Sequence, residues 1–599
     1  AGVLTAAALL YGWGLNRAAV HPYYGAAIRS MAGSWRAFVF GGLDSSGTIT
    51  LDKVPGAFWP DAACVWLFGP HTWAAALPHV VEGVLTVYLL HRFVRAWMGP
   101  VAALIAALAL TATPVTAVLN RATIPDTLLT LLLVLSVGSL QKALRSGRLL
   151  PVLGCAAWVG LAFQAKMLQA WVVLPVLGVV YLLAAPGGLP RRIGRVLLLG
   201  VTALAVSCSW VLLVMATPAA DRPYLDGTTN NNPFTLVFGY NGISRFGSDP
   251  SAFGAVPGTA ASRTTGNTGW GMIVNSTVGP QVAWLLPLAL AALVLGLLWR
   301  ARRPRTDPVR AGYLIWGGWL AIHIAVFSSS NGNHAYYTAV LAPALAALSG
   351  AGLTTFWDEY RAPLEGWRKH VLPVAVAVSA AWALKLDSST LFDAWLLPVE
   401  VMLALCCLTA LLSHGQKIGV RVRRGGFICG VAATLVLPAG WAVATLDPFY
   451  SGASTSPLAG PVGSVYSALK HHRATISKTG IGNPNSRDTA VLSYLEAHRG
   501  NARYLVATQA AYTAEPLLRA SSEPMLVMGG FTGLTPFPSA AQFGSLVAAG
   551  QVRYAMLTSA RPDTAASTWV KAHCTRVPST AYGRPTDGSF ALYDCHPPG

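Results

Sequence analysis

Apolar residues in the first three quarters of this chain fall in long blocks separated by short polar ones. Runs of about 17 to 25 apolar residues, each long enough to cross a roughly 30 Å hydrocarbon core as a helix, recur there. They lie near 1–14, 72–90, 101–118, 125–140, 150–165, 168–185, 196–216, 280–299, 311–328, 336–355, 371–386, 392–413 and 426–446, which predicts about thirteen spans. From about Asp447 the pattern changes. A Ser/Gly/Pro-rich linker, Tyr450 to Pro457, gives way to helical stretches at 488–499, 510–518 and 540–549 that alternate with β runs at 503–507, 525–528 and 552–557. That rhythm predicts a small α/β sheet domain. The predicted architecture is an α-helical polytopic membrane protein over 1–446 followed by a C-terminal α/β domain over 447–599.

Composition agrees with a membrane protein, since 54% of the 599 residues are hydrophobic and only 11% are charged. The mean hydropathy is +0.50, far from the balance of a soluble domain. Charge then sets an orientation. Arg92 and Arg95; Lys142, Arg145 and Arg148; Arg191, Arg192 and Arg195; Arg300 to Arg305; Arg361, Arg368 and Lys369; and Lys417 to Arg424 occupy every second loop. By the positive-inside rule all six face the cytoplasm. They make up most of the net charge of +19 and read as topology determinants beside anionic lipid, with no nucleic-acid role. The N-terminus then lies inside and everything after Leu446 outside the plasma (inner) membrane. Ala1 falls within an apolar run, so a short cytoplasmic leader is expected ahead of it.

The outer face collects the polar inventory: the first loop from about Asn16 to Pro70, the turn 120–126, the surroundings of Lys166, the loop 217–279, the turn 328–337 and the tail. Six segments meeting at one surface predict a cavity. Six cysteines (64, 155, 208, 406, 407 and 429) lie in or beside apolar runs and read as buried thiols. Cys574 and Cys595 sit in the extracytoplasmic tail, where a disulfide persists, and are expected to form one.

No phosphate loop, zinc-binding cysteine pair or dinucleotide fingerprint is present. Met528-Gly529-Gly530-Phe531 follows a strand but reads as a turn. Charged groups at the outer ends of helices carry the chemistry instead. Asp44 follows Gly41-Gly42-Leu43, and Asp52-Lys53 precedes Val54-Pro55. A carboxylate beside a lysine stays ionised at neutral pH, as a general base must, although either aspartate serves a turn or an ion pair equally well. Asn120-Arg121 leads to Pro125-Asp126, where capping and function both suit the aspartate. Arg121 places a guanidinium on the face where cations are scarce, which fits an anion. Lys166 interrupts two apolar runs, so it is a site candidate or a snorkelling lysine. His334 and Tyr337, Tyr23 and Tyr24, Gln169, Arg222, Tyr240 and Asn241 supply further hydrogen-bonding and aromatic groups for a sugar or phosphate.

At these residues the chain resembles the bacterial membrane glycosyltransferases related to aminoarabinose transferase and the protein O-mannosyltransferases. The shared features are an acidic first loop ending in Asp-Lys-x-Pro, an Asn-Arg…Pro-Asp turn, Lys166-Met-Leu-Gln-Ala-Trp171, Phe238-Gly-Tyr-Asn-Gly242, His334-Ala-Tyr-Tyr337, and the Gly-Gly-Phe and Leu-Tyr-Asp-Cys stretches of the tail. The resemblance covers most of the chain. It implies a GT-C fold and a hexosyl- or pentosyltransferase that takes its sugar from a polyprenyl phosphate in the bilayer. The acceptor would be an extracytoplasmic glycan, lipid or protein, and a divalent cation, Mg or Mn, is used by some relatives. One departure stands out, because no acidic pair precedes Tyr23 as it does in the aminoarabinose type. The base is therefore expected at Asp44 or Asp52, with Lys53, Arg121, Lys166, Arg222 and His334 at the donor phosphate. The substrate side would hold Tyr23, Tyr24, Asp126, Gln169, Tyr240, Asn241 and Tyr337, and the displacement would invert the anomeric carbon. A flippase or transporter of lipid-linked sugars is the alternative; the internal repeats and broken helices it would require are not evident in the sequence.

Overall fold

The computed structural model describes residues 1–18, 20–242, 246, 251, 254–256, 269–330, 333–362, 366–387, 395–413, 419–461, 481, 486–583 and 590–595. The middle of the long loop, residues 462–480 and 482–485 of the tail, and Lys417 among the basic loop residues lie outside them. Among the described residues eight helices are long and apolar enough to cross a membrane, or nine if the bent pair Leu189–Ser207 and Ser209–Ala216 is one span. Two shorter apolar helices, Gly2–Gly12 and Leu396–Leu412, accompany them. The apolar blocks and the helices do not correspond one to one, because backbone breaks divide and join them in ways that hydropathy does not register. Thr72–Ala112 is one 41-residue element interrupted at Gly99. Its φ of 87° suits only glycine, and Pro100 follows to start a new helix. Leucine and valine side chains such as Leu197, Val201 and Leu298 stay exposed on these helices, as a hydrocarbon-facing surface requires.

The two ends of the bundle differ in charge. At one end basic side chains tie neighbouring loops together: Arg145 donates to the Ala96 carbonyl, Arg195 to Gly147 and Arg305 to Ala185. The opposite end carries the first loop, which folds into the helices Pro22–Gly33, Trp35–Phe40 and Trp59–Phe68. Its strand-like stretch pairs with the long loop, Ile49 bridging to Tyr224.

The tail opens with a short hairpin, β1 (Gly452–Ala453) and β2 (Ser456–Pro457). A five-stranded sheet follows, built from β3 (Ala507–Thr508), β4 (Leu526–Val527), β5 (Tyr554–Leu557), β6 (Thr575–Arg576) and β7 (Ala591–Asp594) in the order β4-β3-β5-β7-β6. Strands β4, β3 and β5 are parallel, with the helices Ala511–Ala520 and Ala540–Ala548 between them. The first strand starts later than the sequence predicts, at Ala507, leaving Tyr504 in a single bridge to Val552. Cys574 and Cys595 are joined by a disulfide. The tail rests on the loop end of the bundle: Arg29 donates to the Arg519 carbonyl, and Ser45 to Ser522.

Candidate active site

At the loop end a cavity of about 240 Å³ opens between helices and loops. Its lining combines polar and cationic side chains, Lys53, Lys166, Gln169, Asn241, Asn333 and Tyr337, with apolar ones that include Leu168, Val172, Val326 and Phe327. Lys166 reaches it because the helix Leu150–Lys166 stops there; Met167 takes a φ of 44° and turns the chain into a 3₁₀ segment. Its ammonium lies 2.5 Å from Asp126 Oδ1 and 3.6 Å from the centre of the Tyr337 ring. Both charges are buried, so the pair is stable only while each compensates the other.

Asp52 and Lys53 form the second ion pair, with Nζ 2.8 and 2.9 Å from the two carboxylate oxygens. The backbone around them is pinned from two sides. The Asp52 amide donates to the Tyr23 hydroxyl at 2.8 Å, and the Asn241 amide donates to the Asp52 carbonyl at 2.7 Å. The Lys53 ammonium also lies 5.4 Å from the centre of Tyr24, which stacks on Phe58 and His21. Burial pulls the Lys53 ammonium down, but Asp52, with Tyr24 and Tyr337 adding to it, more than offsets this and raises it above its ordinary range, so Lys53 is a fixed cation. Burial, followed by the charges of Lys53 and His334, lowers His21 to about 3 and keeps it neutral. His334 stacks on Tyr336 near this group.

Asp226 belongs to the same network, although ahead of Gly227 it reads as an ordinary turn residue. Its carboxylate accepts from the Tyr23 hydroxyl at 3.2 Å, the Thr535 hydroxyl at 2.7 Å and the Phe531 amide at 2.7 Å. The last two come from the tail. Gly530, at a φ of 63°, sits so close that a Cβ there would lie 1.8 Å from Asp226 Oδ1. The Gly-Gly-Phe stretch is thus more than a turn: it is the tail's latch on the long loop, and through Tyr23 it braces Asp52. Burial, with the charge of Asp52 adding to it, pushes Asp226 up to about 6 against these hydrogen bonds.

The other predicted residues separate into those the cavity gathers and those it does not. Gln169 lines it with its amide nitrogen unpartnered, and Tyr240 packs against Gly227 beside Asp226. Asp44 is a turn residue, accepting from the Thr48 amide at 2.9 Å and the Thr48 hydroxyl at 2.6 Å. It does not line the cavity. Arg121 is turned away as well, because its guanidinium caps the first helix by donating to the carbonyls of Leu10 and Tyr11 at 2.9 and 3.1 Å. Arg222 binds Asn231 twice and staples the long loop. Beside Asp126, Thr127 contacts both His79 and Glu82, and His79 reaches Asp61 at 3.0 Å, a fully buried chain that no motif signalled.

Among the described residues no three His, Cys, Asp or Glu side chains converge in a way that would hold a metal ion. The two carboxylates nearest the cavity are each already matched by a lysine. The side chains present therefore fit a site whose counter-charges are ammonium groups better than one built on carboxylate-held metal.

A family model described as dolichyl-phosphate-mannose-protein mannosyltransferase matches residues 52–213, and one described as putative mannosyltransferase YkcB-like, C-terminal, matches residues 491–573. The chain is 28% identical to the putative mannosyltransferase YycA of Bacillus subtilis (strain 168), over 94% of this chain and 91% of that protein. The crystal structure of ArnT from Cupriavidus metallidurans in the apo state superposes on 99% of this chain and 97% of its own with a TM-score of 0.57 at 17% identity. ArnT bound to undecaprenyl phosphate superposes over the same shares with a TM-score of 0.55, also at 17% identity.

Proposed function

We propose that this chain, which has the GT-C fold of membrane glycosyltransferases and is similar to their mannosyltransferase-like members, moves a sugar from a polyprenyl phosphate to a hydroxyl acceptor outside the cytoplasm. The observation that carries this reading is the make-up of the cavity lining. Lys53 and Lys166 offer two ammonium groups for a phosphate, and the apolar side chains that line the same cavity suit the start of a prenyl chain. Undecaprenyl phosphate bound to ArnT, a protein of the same fold, supports it. The basic loops at the far end of the bundle support an extracytoplasmic position for the cavity and the tail.

Chemistry follows from the charges. The acceptor oxygen attacks the anomeric carbon, the bond from that carbon to the phosphate oxygen breaks, and its electron pair leaves with the lipid phosphate. Attack from the face opposite the leaving group inverts the anomeric centre. Lys53 and Lys166 neutralise the growing phosphate charge, which lowers the barrier because they are already in place. The acceptor's proton goes to Asp52, the carboxylate beside the cavity; Asp44 is committed to its turn. Asp52 is held by Lys53, and a donor phosphate competes for that ammonium, freeing the carboxylate to act as base. The resemblance allows a divalent cation at the phosphate, but no step here is assigned to one.

The test is binding of polyprenyl phosphate to the purified protein. Lys53→Ala and Lys166→Ala should each weaken it at least about tenfold, in line with loss of a charge-assisted contact. Equal affinity in both variants would remove the phosphate assignment from this cavity.

A further inference from the structure

A second, larger opening lies where the tail meets the loops, and the reaction above leaves it without a role. It is an open cleft of about 1010 Å³. Arg36 and the turn Ser46–Thr48 line it from the first loop, and Arg222 and Tyr224 from the long loop. The tail contributes Arg503, Gln542 and Gln551. Among the described residues none of the three arginines has a carboxylate partner. Arg36 and Arg503 are exposed, and Arg503 lies over the Tyr504 ring at 5.3 Å. Tyr224 stacks on Phe537 at 5.0 Å, giving the wall an aromatic face.

Three guanidiniums that have no carboxylate partner among the described residues make a field that attracts anions; Arg222 adds its charge while its donors hold Asn231, and the exposed Arg36 and Arg503 offer paired donors to phosphate or carboxylate oxygens. Amides and an aromatic face suit hydroxyl-bearing chains. The cleft also shares its loops with the active site: Thr48 lies four residues before Asp52, and Tyr224 two residues before Asp226. A chain bound in it therefore lies against the same two loops that carry Asp52 and Asp226. We propose that this cleft binds the acceptor, and that the acceptor is an anionic chain, a glycan or polyol polymer bearing phosphodiester or carboxylate groups. This assignment rests on the transferase reading of the cavity.

The experiment measures binding of three oligomers of equal length to the full chain without donor: a polyol phosphodiester, an oligouronate and a neutral oligosaccharide. At least one anionic oligomer should bind and the neutral one should not, and which anion binds decides between phosphate and carboxylate. Arg36→Ala and Arg503→Ala should each weaken binding by about three- to tenfold, the discount for exposure included. Raising salt from about 50 to about 300 mM should weaken it further. Because both side chains are exposed, unchanged melting temperatures will show that the variants fold. Equal binding of the neutral oligomer overturns the proposal, as does unaltered binding by the double variant or binding confined to anionic lipid vesicles. Polyprenyl phosphate binding is measured in parallel. Its loss would remove the transferase reading itself, whereas failure of the cleft alone would leave that arm intact.

Discussion

Replacing Gly530 with alanine should unlatch the tail from the active site. The added Cβ would lie 1.8 Å from Asp226 Oδ1, a separation no relaxation of the methyl relieves, so the carboxylate must move. It then loses the Phe531 amide and the Thr535 hydroxyl, both at 2.7 Å. Hydrogen bonds to a charged acceptor contribute roughly 1.5–3 kcal/mol each, and an alanine in the left-handed region costs about 1–2 kcal/mol more. The sum, roughly 4–8 kcal/mol, is comparable to the whole stability of many domains. The strain is relieved locally by undocking, because the tail keeps a core of its own around Phe543, Val547 and Val570. Hydrogen exchange should rise in 224–228 and 529–535 while the sheet stays protected. Turnover should fall by about a hundredfold, the usual cost of misplacing a reacting group by an ångström. Gly550→Ala is the control: its φ is 65°, yet nothing lies within 4 Å of the new Cβ. It should cost only the backbone strain. Wild-type exchange and turnover in Gly530→Ala would refute the latch.

Other outcomes follow from the same contacts. Lys166→Met leaves Asp126 charged and buried, so unfolding in detergent should show a loss of about 3–5 kcal/mol, and adding Asp126→Leu should restore most of it without restoring donor binding. Arg121→Ala should lower stability by about 1.5–3 kcal/mol through the lost helix cap, yet leave polyprenyl phosphate affinity as it was, measured by titration. Burial raises Asp44 from 3.8 to about 6 against the bonds from Thr48. Between those values the folded state binds more protons than the unfolded one, so stability falls as pH rises through the window, by on the order of 3 kcal/mol. Denaturant midpoints of Asp44→Asn should lack that fall.

Charge in an apolar chain is what singled out several of the residues that the fold gathers at the cavity. Lys53, Lys166, Asp126 and Tyr337 stand out because ionisable and aromatic groups at helix ends need a partner, and the structure pairs Lys166 with Asp126 and sets Tyr337 against its ammonium. The same logic misplaced Arg121, since a guanidinium that caps carbonyls looks no different in sequence from one awaiting phosphate. Asp226 was hidden by its setting: before Gly227 it reads as a turn residue, and its partners lie about three hundred residues away in the tail. The clue available was Gly529-Gly530, both at positive φ, where the backbone must approach something closely. Helix number was blurred for a related reason. Hydropathy finds apolar blocks, but the break at Gly99 and the turn at Met167 decide how blocks become helices.

The most direct test of the central claim is sugar transfer from a panel of radiolabelled polyprenyl-phosphate sugars, read as released polyprenyl phosphate, with Asp52→Asn and Asp44→Asn side by side. Asp52→Asn should lose turnover by about 10²–10⁴-fold while still binding polyprenyl phosphate, and Asp44→Asn should keep most of its rate. Near wild-type turnover in Asp52→Asn, or loss confined to Asp44→Asn, would contradict the account.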